Sequence, residues 1–182
     1  MSRTFVENSR PWFLQAMSDH RTATALLAVP GPMRPQDACC HVASLCAQSI
    51  EKCIKGFVFL NGGHPSLDHR PDKYLTTLLT VNGKLLRHPE HYEFLCNLFD
   101  PHTKGIVRTL LDLTPGGGGR RNDVPNTEYP WVDSTTGKWS YAPVSAPEFA
   151  GSSLSSDWVR AAGRVCAGLH RIFIGLDRGT EI

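Results

Sequence analysis

The amino-acid sequence predicts an all-α protein, an up-and-down bundle of about five helices with a long loop or hairpin insertion before the last helix. Two observations lead to this fold class. Apolar residues recur every three or four positions through two long segments, which is the period of one helix face. Pro30-Gly31-Pro32 and Asn61-Gly62-Gly63 mark the ends of helical segments, and residues 114–153 lack the helical period. At 182 residues the chain suits one domain, residues 1–182, with residues 114–153 as its loop-rich insertion.

The first helix is expected over about residues 10–27. Pro11 suits the first turn, where its missing N–H would have no helical partner in any case. The segment Pro30-Gly31-Pro32 follows and stops the helix. One face of this segment is apolar and consists of Phe13, Met17, Ala23 and Leu27.

The second helix is expected over about residues 35–60. Its apolar side chains step by four, four, three, four and three positions, which makes a stripe several turns long. The members of this stripe are Val42, Cys46, Ile50, Cys53, Phe57 and Leu60. The stop is Asn61-Gly62-Gly63, since glycine readily takes the left-handed conformation that ends many helices.

Four further helical segments complete the bundle. The third begins near Pro71 and closes at Asn82-Gly83, and the fourth covers about residues 89–99. A shorter apolar run over residues 106–113 is also expected to be helical. The last helix covers about residues 155–176, with an apolar face of Trp158, Ala162, Val165, Leu169, Ile172 and Leu176.

The insertion contains a candidate hairpin. A Thr-Thr-Gly-Lys segment, residues 135–138, separates two short aromatic segments. Glycine in such a turn allows two strands to pair, so Trp131 and Trp139 are predicted to lie on facing strands.

Composition restricts the classes of function. The net charge is only +2, so binding to nucleic acid would have to come from a local basic patch. The first residues lack the pattern of a signal peptide and no apolar run reaches the length of a membrane span, so a cytoplasmic protein is expected. The six cysteines form no CxxC pair, which favours buried, reduced thiols and no metal, with zinc as the alternative.

Several motifs follow one another in a recognisable order. The segment Gln48-Ser49-Ile50-Glu51-Lys52-Cys53-Ile54-Lys55-Gly56-Phe57 contains a glutamine, a Glu-Lys pair and a further lysine. His69 stands between the Gly62-Gly63 turn and the helix at Pro71, and Glu128-Tyr129-Pro130 precedes the last helix. Together with Trp12 and Ala16 on the first helix, this order resembles the HEPN family (higher eukaryotes and prokaryotes nucleotide-binding) over nearly the whole chain. Two positions depart from the family's pattern: Arg70 replaces an aspartate and Glu128 an arginine.

The resemblance implies a protein associated with nucleotides or RNA. It also implies a homodimer that acts beside a nucleotidyltransferase, or in a toxin–antitoxin or other defence system, without a cofactor. The alternative is a non-catalytic helical module for protein interaction, which keeps the fold and has lost the chemistry. The two departures at polar positions favour this alternative as regards catalysis.

The polar residues of the second helix are candidate ligands for phosphate or base. Gln48, Glu51, Lys52 and Lys55 have the spacing of one helical face. The functional interpretation is a polar groove that binds a nucleotide or RNA. The alternative is a solvated face on which Glu51 and Lys55 form a weak ion pair one turn apart.

His69 and Arg70 are a second candidate site for an anion. They follow a turn and open a helix, where backbone N–H groups and the helix dipole favour negative charge. The alternative is that His69 caps the helix or packs against the second one. Lys52, Lys55, His69 and Arg70 are predicted to contribute more to binding than the arginines 120 and 121, which follow a glycine run and must lose more entropy.

Arg164 and His170 are the candidate catalytic residues. Metal-independent HEPN ribonucleases use an arginine and a histidine that are separated by roughly four to six residues. The histidine acts as acid or base, and the arginine stabilises the charge of the phosphorane. Arg164 and His170 match this spacing, so the resemblance implies an endoribonuclease if the chain is an enzyme. On one helix they would lie about 120° apart, so a second copy would be needed to bring such a pair together. Arg160, Arg164 and Arg171 share the side opposite the apolar stripe.

Overall fold

The computed structural model describes residues 3–28, 35–64, 89–112, 131–132, 139–140 and 152–178. These ranges contain helices α1 (Arg3–Ala28), α2 (Pro35–Leu60), α3 (Tyr92–Leu98), α4 (Pro101–Asp112) and α5 (Ser152–Arg178). A 3-10 turn, Pro89–His91, leads into α3, and two short strands, β1 (Trp131–Val132) and β2 (Trp139–Ser140), precede α5. The all-α helical bundle predicted from the sequence is confirmed. The third predicted helix, near Pro71, lies outside the described residues.

Side-chain contacts between the helices show in which direction each helix runs relative to its neighbours. Trp12 packs on Phe59, and Asp19 bonds Lys52, so α1 and α2 are antiparallel. Phe13 stacks on Phe173, and His20 contacts the carbonyl of Val159, so α1 and α5 are antiparallel as well. The core lies among these three helices, with α4 packed against α2 and α5. Its largest fully buried side chains include Phe13, Ile50, Phe57, Leu110 and Leu169.

Helix α1 begins seven residues earlier than predicted, at Arg3 rather than near residue 10. Pro11 therefore lies inside the helix and not in its first turn. Proline there removes the hydrogen bond to the carbonyl four residues before it. Val6, 1% exposed and two turns before Phe13, adds buried apolar surface to the same face, and this burial favours the longer helix.

Helix α2 has the predicted bounds, and its end has a physical explanation. Gly62 has a φ of 81°, the left-handed conformation that suits glycine. Its N–H donates to the carbonyl of Phe59 at 2.8 Å, and the N–H of Gly63 donates to the carbonyl of Val58 at 3.0 Å. This pair of bonds is the Schellman ending, which satisfies carbonyls that the last turn leaves without partners.

Helix α4 begins at Pro101, five residues before the predicted run at residue 106. The Asp100 carboxylate accepts a hydrogen bond of 2.7 Å from the backbone N–H of Thr103, which is an N-cap. Proline at the first helical position completes a common start signal. The apolar period alone missed it because the first turn contains mostly polar residues.

The predicted pairing of the two strands is confirmed in the backbone, and the turn between them lies outside the described residues. Strands β1 and β2 pair antiparallel, with Trp131 opposite Ser140 and Val132 opposite Trp139. The two tryptophans therefore lie on facing strands, displaced by one residue from direct opposition.

The cysteines agree with the prediction of buried thiols in all but one case. Cys39, Cys40, Cys46, Cys53 and Cys166 are buried and free, and Cys96 is exposed. Burial raises the pKa of Cys46 to about 12, and burial followed by a hydrogen bond with Cys166 raises that of Cys53. None of the described helices has a stretch long and apolar enough to cross a membrane.

Candidate functional site

Lys52 belongs to a hydrogen-bonded network that joins α1 to α2. Its ammonium group lies 2.5 Å from a carboxylate oxygen of Asp19, which is only 7% exposed. The other oxygen of Asp19 accepts a bond of 2.8 Å from the Gln15 amide. Lys52 also donates to the Gln48 side-chain oxygen at 3.4 Å. Gln48 and Lys52 therefore face helix α1, and their polar atoms form hydrogen bonds within the chain.

Glu51 and Lys55 form a second, separate ion pair. Their charged atoms are 2.6 Å apart, and their side chains are only 11% and 7% exposed. The Lys55 ammonium group also lies 5.8 Å from the centre of the Trp12 ring, a cation–π geometry. The ion pair that the alternative predicted is therefore confirmed, but it is buried and not solvated, because α1 places Trp12 over Lys55.

A close approach of the two helices makes this burial possible. A Cβ on Gly56 would lie 3.0 Å from the Cβ of Trp12 and 3.2 Å from the Phe13 ring. A larger residue at position 56 would force α1 away from α2. Gly56 thus allows Trp12 to approach Lys55, its neighbour on α2.

The contacts of the two lysines bear on the predicted phosphate site. Each lysine has a carboxylate partner within the chain, Asp19 for Lys52 and Glu51 for Lys55. A phosphate would have to share or displace that carboxylate, and separating a buried pair costs several kcal/mol by order of magnitude. Phosphate binding by these residues stays a prediction. His69 and Arg70, the other half of the predicted binding site, lie outside the described residues.

Arg164 is bonded to the corner between α3 and α4. Its guanidinium lies 2.8 Å from the Asp100 carboxylate and donates a further bond of 2.7 Å to the carbonyl of Asn97. The hydrogen bond from the backbone of Thr103, aided by Arg164, lowers the pKa of Asp100. Arg164 is still 49% exposed, so part of its side chain remains accessible to solvent.

His170 lies on another side of α5. Its ring is 6.1 Å from that of Phe13 and 5.8 Å from that of Phe173. Burial among these rings lowers the pKa of His170. Arg164 and His170 therefore contact different helices, as their angular separation predicts, and one chain does not bring them together.

A groove lies between α3 and α5, and the sequence did not predict it. It has a volume of about 430 Å³ and is lined by His91, Phe94, Arg171, Ile172, Gly175 and Leu176. Arg171 is exposed and has no carboxylate partner among the residues that the structure describes. The only signal in the sequence was the shared face of Arg171 and Arg164, because the groove forms from helices far apart along the chain.

Within the described part of the chain, no group of three histidine, cysteine or acidic residues has the arrangement to hold a metal ion. Comparison of the chain with protein-family models, curated proteins and solved structures gave no match.

Proposed function

We propose that this protein is a HEPN-like, nucleotide- or RNA-associated protein, and that it contacts nucleic acid through an arginine face on α5. The arginine face consists of Arg160, Arg164 and Arg171, all exposed on one side of the helix. It is the observation that carries the proposal. The helical bundle is also the fold that the motif order on α2 led us to expect.

The geometry of the arginine face suits a phosphate backbone. At 1.5 Å per residue, the face extends about 16 Å along α5. Arginine offers planar, forked donors that match phosphate oxygens, and it stays charged at any physiological pH. Lys52 and Lys55 have their carboxylates close by, whereas Arg171 has none among the described residues. Arg160 and Arg164 also have carboxylate partners, Asp157 and Asp100, but their side chains are 78% and 49% exposed. Lys52 and Lys55 are only 25% and 7% exposed, so the arginine face is more accessible to a phosphate than the lysines of α2.

The alternative is a non-catalytic helical module for protein interaction. The contacts of Arg164 favour it: a guanidinium bonded to Asp100 and Asn97 acts as a structural link between helices. In this case the arginine face would bind an acidic surface of a partner protein.

Catalysis and assembly form the finer part of the proposal. Arg164 and His170 contact different helices, so an endoribonuclease built on this pair would require the homodimer. A nucleotidyltransferase is the partner that the family resemblance implies. Light scattering at tens of micromolar protein tests the homodimer, and a strictly monomeric mass would contradict both the dimer and this catalytic pair.

The direct test is binding of a fluorescent single-stranded RNA, followed by anisotropy across a range of salt concentrations. The double variant R160A/R171A should bind at least about tenfold more weakly. It should also lower the salt-dependence slope by about 1.4, because two phosphate contacts are lost at about 0.7 each.

The matched control is K104A/R108A, which removes two exposed cations from α4. It should bind nearly as the wild type does, since neither residue belongs to the arginine face. Equal losses in the two double variants would show that net charge alone matters. A wild-type chain that binds neither RNA nor nucleotide would contradict the proposal and support the interaction module.

A further inference from the structure

The groove between α3 and α5 combines an apolar wall with a cationic edge. Phe94, Ile172 and Leu176 supply apolar surface, and Arg171 and His91 supply polar atoms at the rim. Arg164 bonds Asn97 near the end of α3, whereas Arg171 and Leu176 line the groove beside His91 and Phe94, so the two helices run antiparallel. Gly175 lines the groove and leaves its wall open, since a Cβ there would meet no atom within 4 Å.

We infer that this groove binds a nucleotide, with the phosphate on Arg171 and the base against the ring of Phe94. The inference rests on the proposed function and names the site within it. Arg171 is exposed and has no carboxylate partner among the described residues, so its guanidinium is available to an anion, and phosphate fits its fork of donors. The flat face of a base stacks on an aromatic side chain without any requirement for a particular sequence.

The size of the groove agrees with a ligand of this kind. Small-molecule sites measure roughly 300–1,000 Å³ and are mostly apolar with a few placed polar groups. The groove, at about 430 Å³, falls within this range. An inorganic phosphate alone would leave the apolar wall uncovered.

The position of the groove joins it to the arginine face. Arg171 belongs to both, at the end of the face that lies nearest to His91 and Phe94. An RNA backbone that follows Arg160 and Arg164 would therefore deliver an unstacked base to the groove. The same chemistry describes a free nucleotide, and the test below distinguishes these two sources.

The test uses the full chain with its isoleucine methyl groups labelled for NMR. Adenosine monophosphate should shift the methyl signal of Ile172 and leave that of Ile54, which is buried on α2, unchanged. Adenosine and inorganic phosphate should each bind at least about fivefold more weakly, since each lacks one half of the ligand. A shift with adenosine monophosphate identifies a free nucleotide, and a shift only with single-stranded RNA identifies a nucleotide within a strand.

Gly175→Leu should fill the groove with its side chain. Helix α5 has room for this change, because a Cβ at residue 175 would meet no atom within 4 Å. This variant should abolish the shift at Ile172. The matched control is Gly105→Leu on α4, where a Cβ also meets nothing within 4 Å, and it should bind normally. Phe94→Leu keeps apolar volume and removes the ring, and it should weaken binding at least about fivefold.

The outcomes separate this inference from the proposed function. If Gly175→Leu and Phe94→Leu bind RNA as the wild type does, and no ligand shifts the Ile172 signal, the groove is not a nucleotide site. RNA binding would then depend on the arginine face without the groove. If decanoate shifts Ile172 and the nucleotide does not, the groove binds an apolar anion and the inference is overturned. If the wild type binds neither RNA nor nucleotide, the proposed function fails as well.

Discussion

Arg164 on α5 and Asp100 at the start of α4 form an ion pair of 2.8 Å. The same carboxylate caps α4 through the N–H of Thr103, and the same guanidinium bonds the carbonyl of Asn97. One residue pair thus fixes the end of α3, the beginning of α4 and the middle of α5. This relationship accounts for Arg164 as a structural residue, whatever else it contacts.

Asp100→Asn should lower the melting temperature, because it removes the charge that both Arg164 and the helix N-terminus attract. The pKa of Asp100 is lowered in the folded chain, so its contribution is present above the unfolded pKa. That contribution is lost as the pH falls through the folded pKa. Thermal melts from neutral to acid pH should therefore converge for the wild type and the variant. A constant difference between them at all pH values would contradict this role.

Lys55→Met should destabilise the fold by about 3 kcal/mol or more, because it leaves the buried Glu51 carboxylate without its cation. Adding Glu51→Gln to this variant should recover part of the loss, since the uncompensated charge disappears. Urea unfolding measures both changes. The control is Arg108→Ala, whose partner Asp112 lies 3.8 Å away on an exposed surface, with an expected change below about 1 kcal/mol.

Gly56→Ala should destabilise the chain by about 1–3 kcal/mol, because its Cβ would press on Trp12 and Phe13. Gly105→Ala on α4 is the matched change, and its Cβ meets nothing within 4 Å. It should stabilise the chain by about 0.5–1 kcal/mol through helix propensity alone. Two variants that shift the urea midpoint in the same direction would show that α1 and α2 do not depend on a close approach at Gly56.

His170 should make stability depend on pH. Burial lowers its pKa below the usual value of about 6.5, so its contribution is present above about pH 6.5 and is lost as the pH falls through the folded pKa. His170→Phe keeps a ring against Phe13 and Phe173 and removes the titrating group. Urea unfolding at about pH 7.5 and about pH 5.5 should therefore show a smaller drop in the variant than in the wild type. Equal drops would assign the dependence to other groups.

Cys96 should be the thiol that reacts readily in the native chain, because it is the exposed one among the six. The other five are buried, and the raised pKa values of Cys46 and Cys53 further suppress their thiolates. A thiol-reactive chromophore should modify about one thiol before denaturation. Cys96→Ser should reduce that value to near zero. Rapid reaction of several thiols in the native state would contradict the buried placement.

The sequence alone determined the features that arise from local patterns. The period of apolar residues predicted the bounds of α2, and the Gly62-Gly63 stop matches a Schellman ending with Gly62 at a φ of 81°. The aromatic segments around a glycine turn predicted the pairing of β1 and β2. These features follow from interactions between residues close in sequence, so each is readable from a short window.

Only the tertiary structure decided which polar residues are buried and which cations are available. Glu51 and Lys55 have the spacing of a solvated pair, and it is the α1 helix, through Trp12 and the room left at Gly56, that buries them. Arg164 and Arg171 share a helix face in the sequence, but Asp100 neutralises the first while the second borders the groove beside Phe94. The physical reason is that burial and charge pairing depend on neighbours far apart along the chain, and no local period records where they lie.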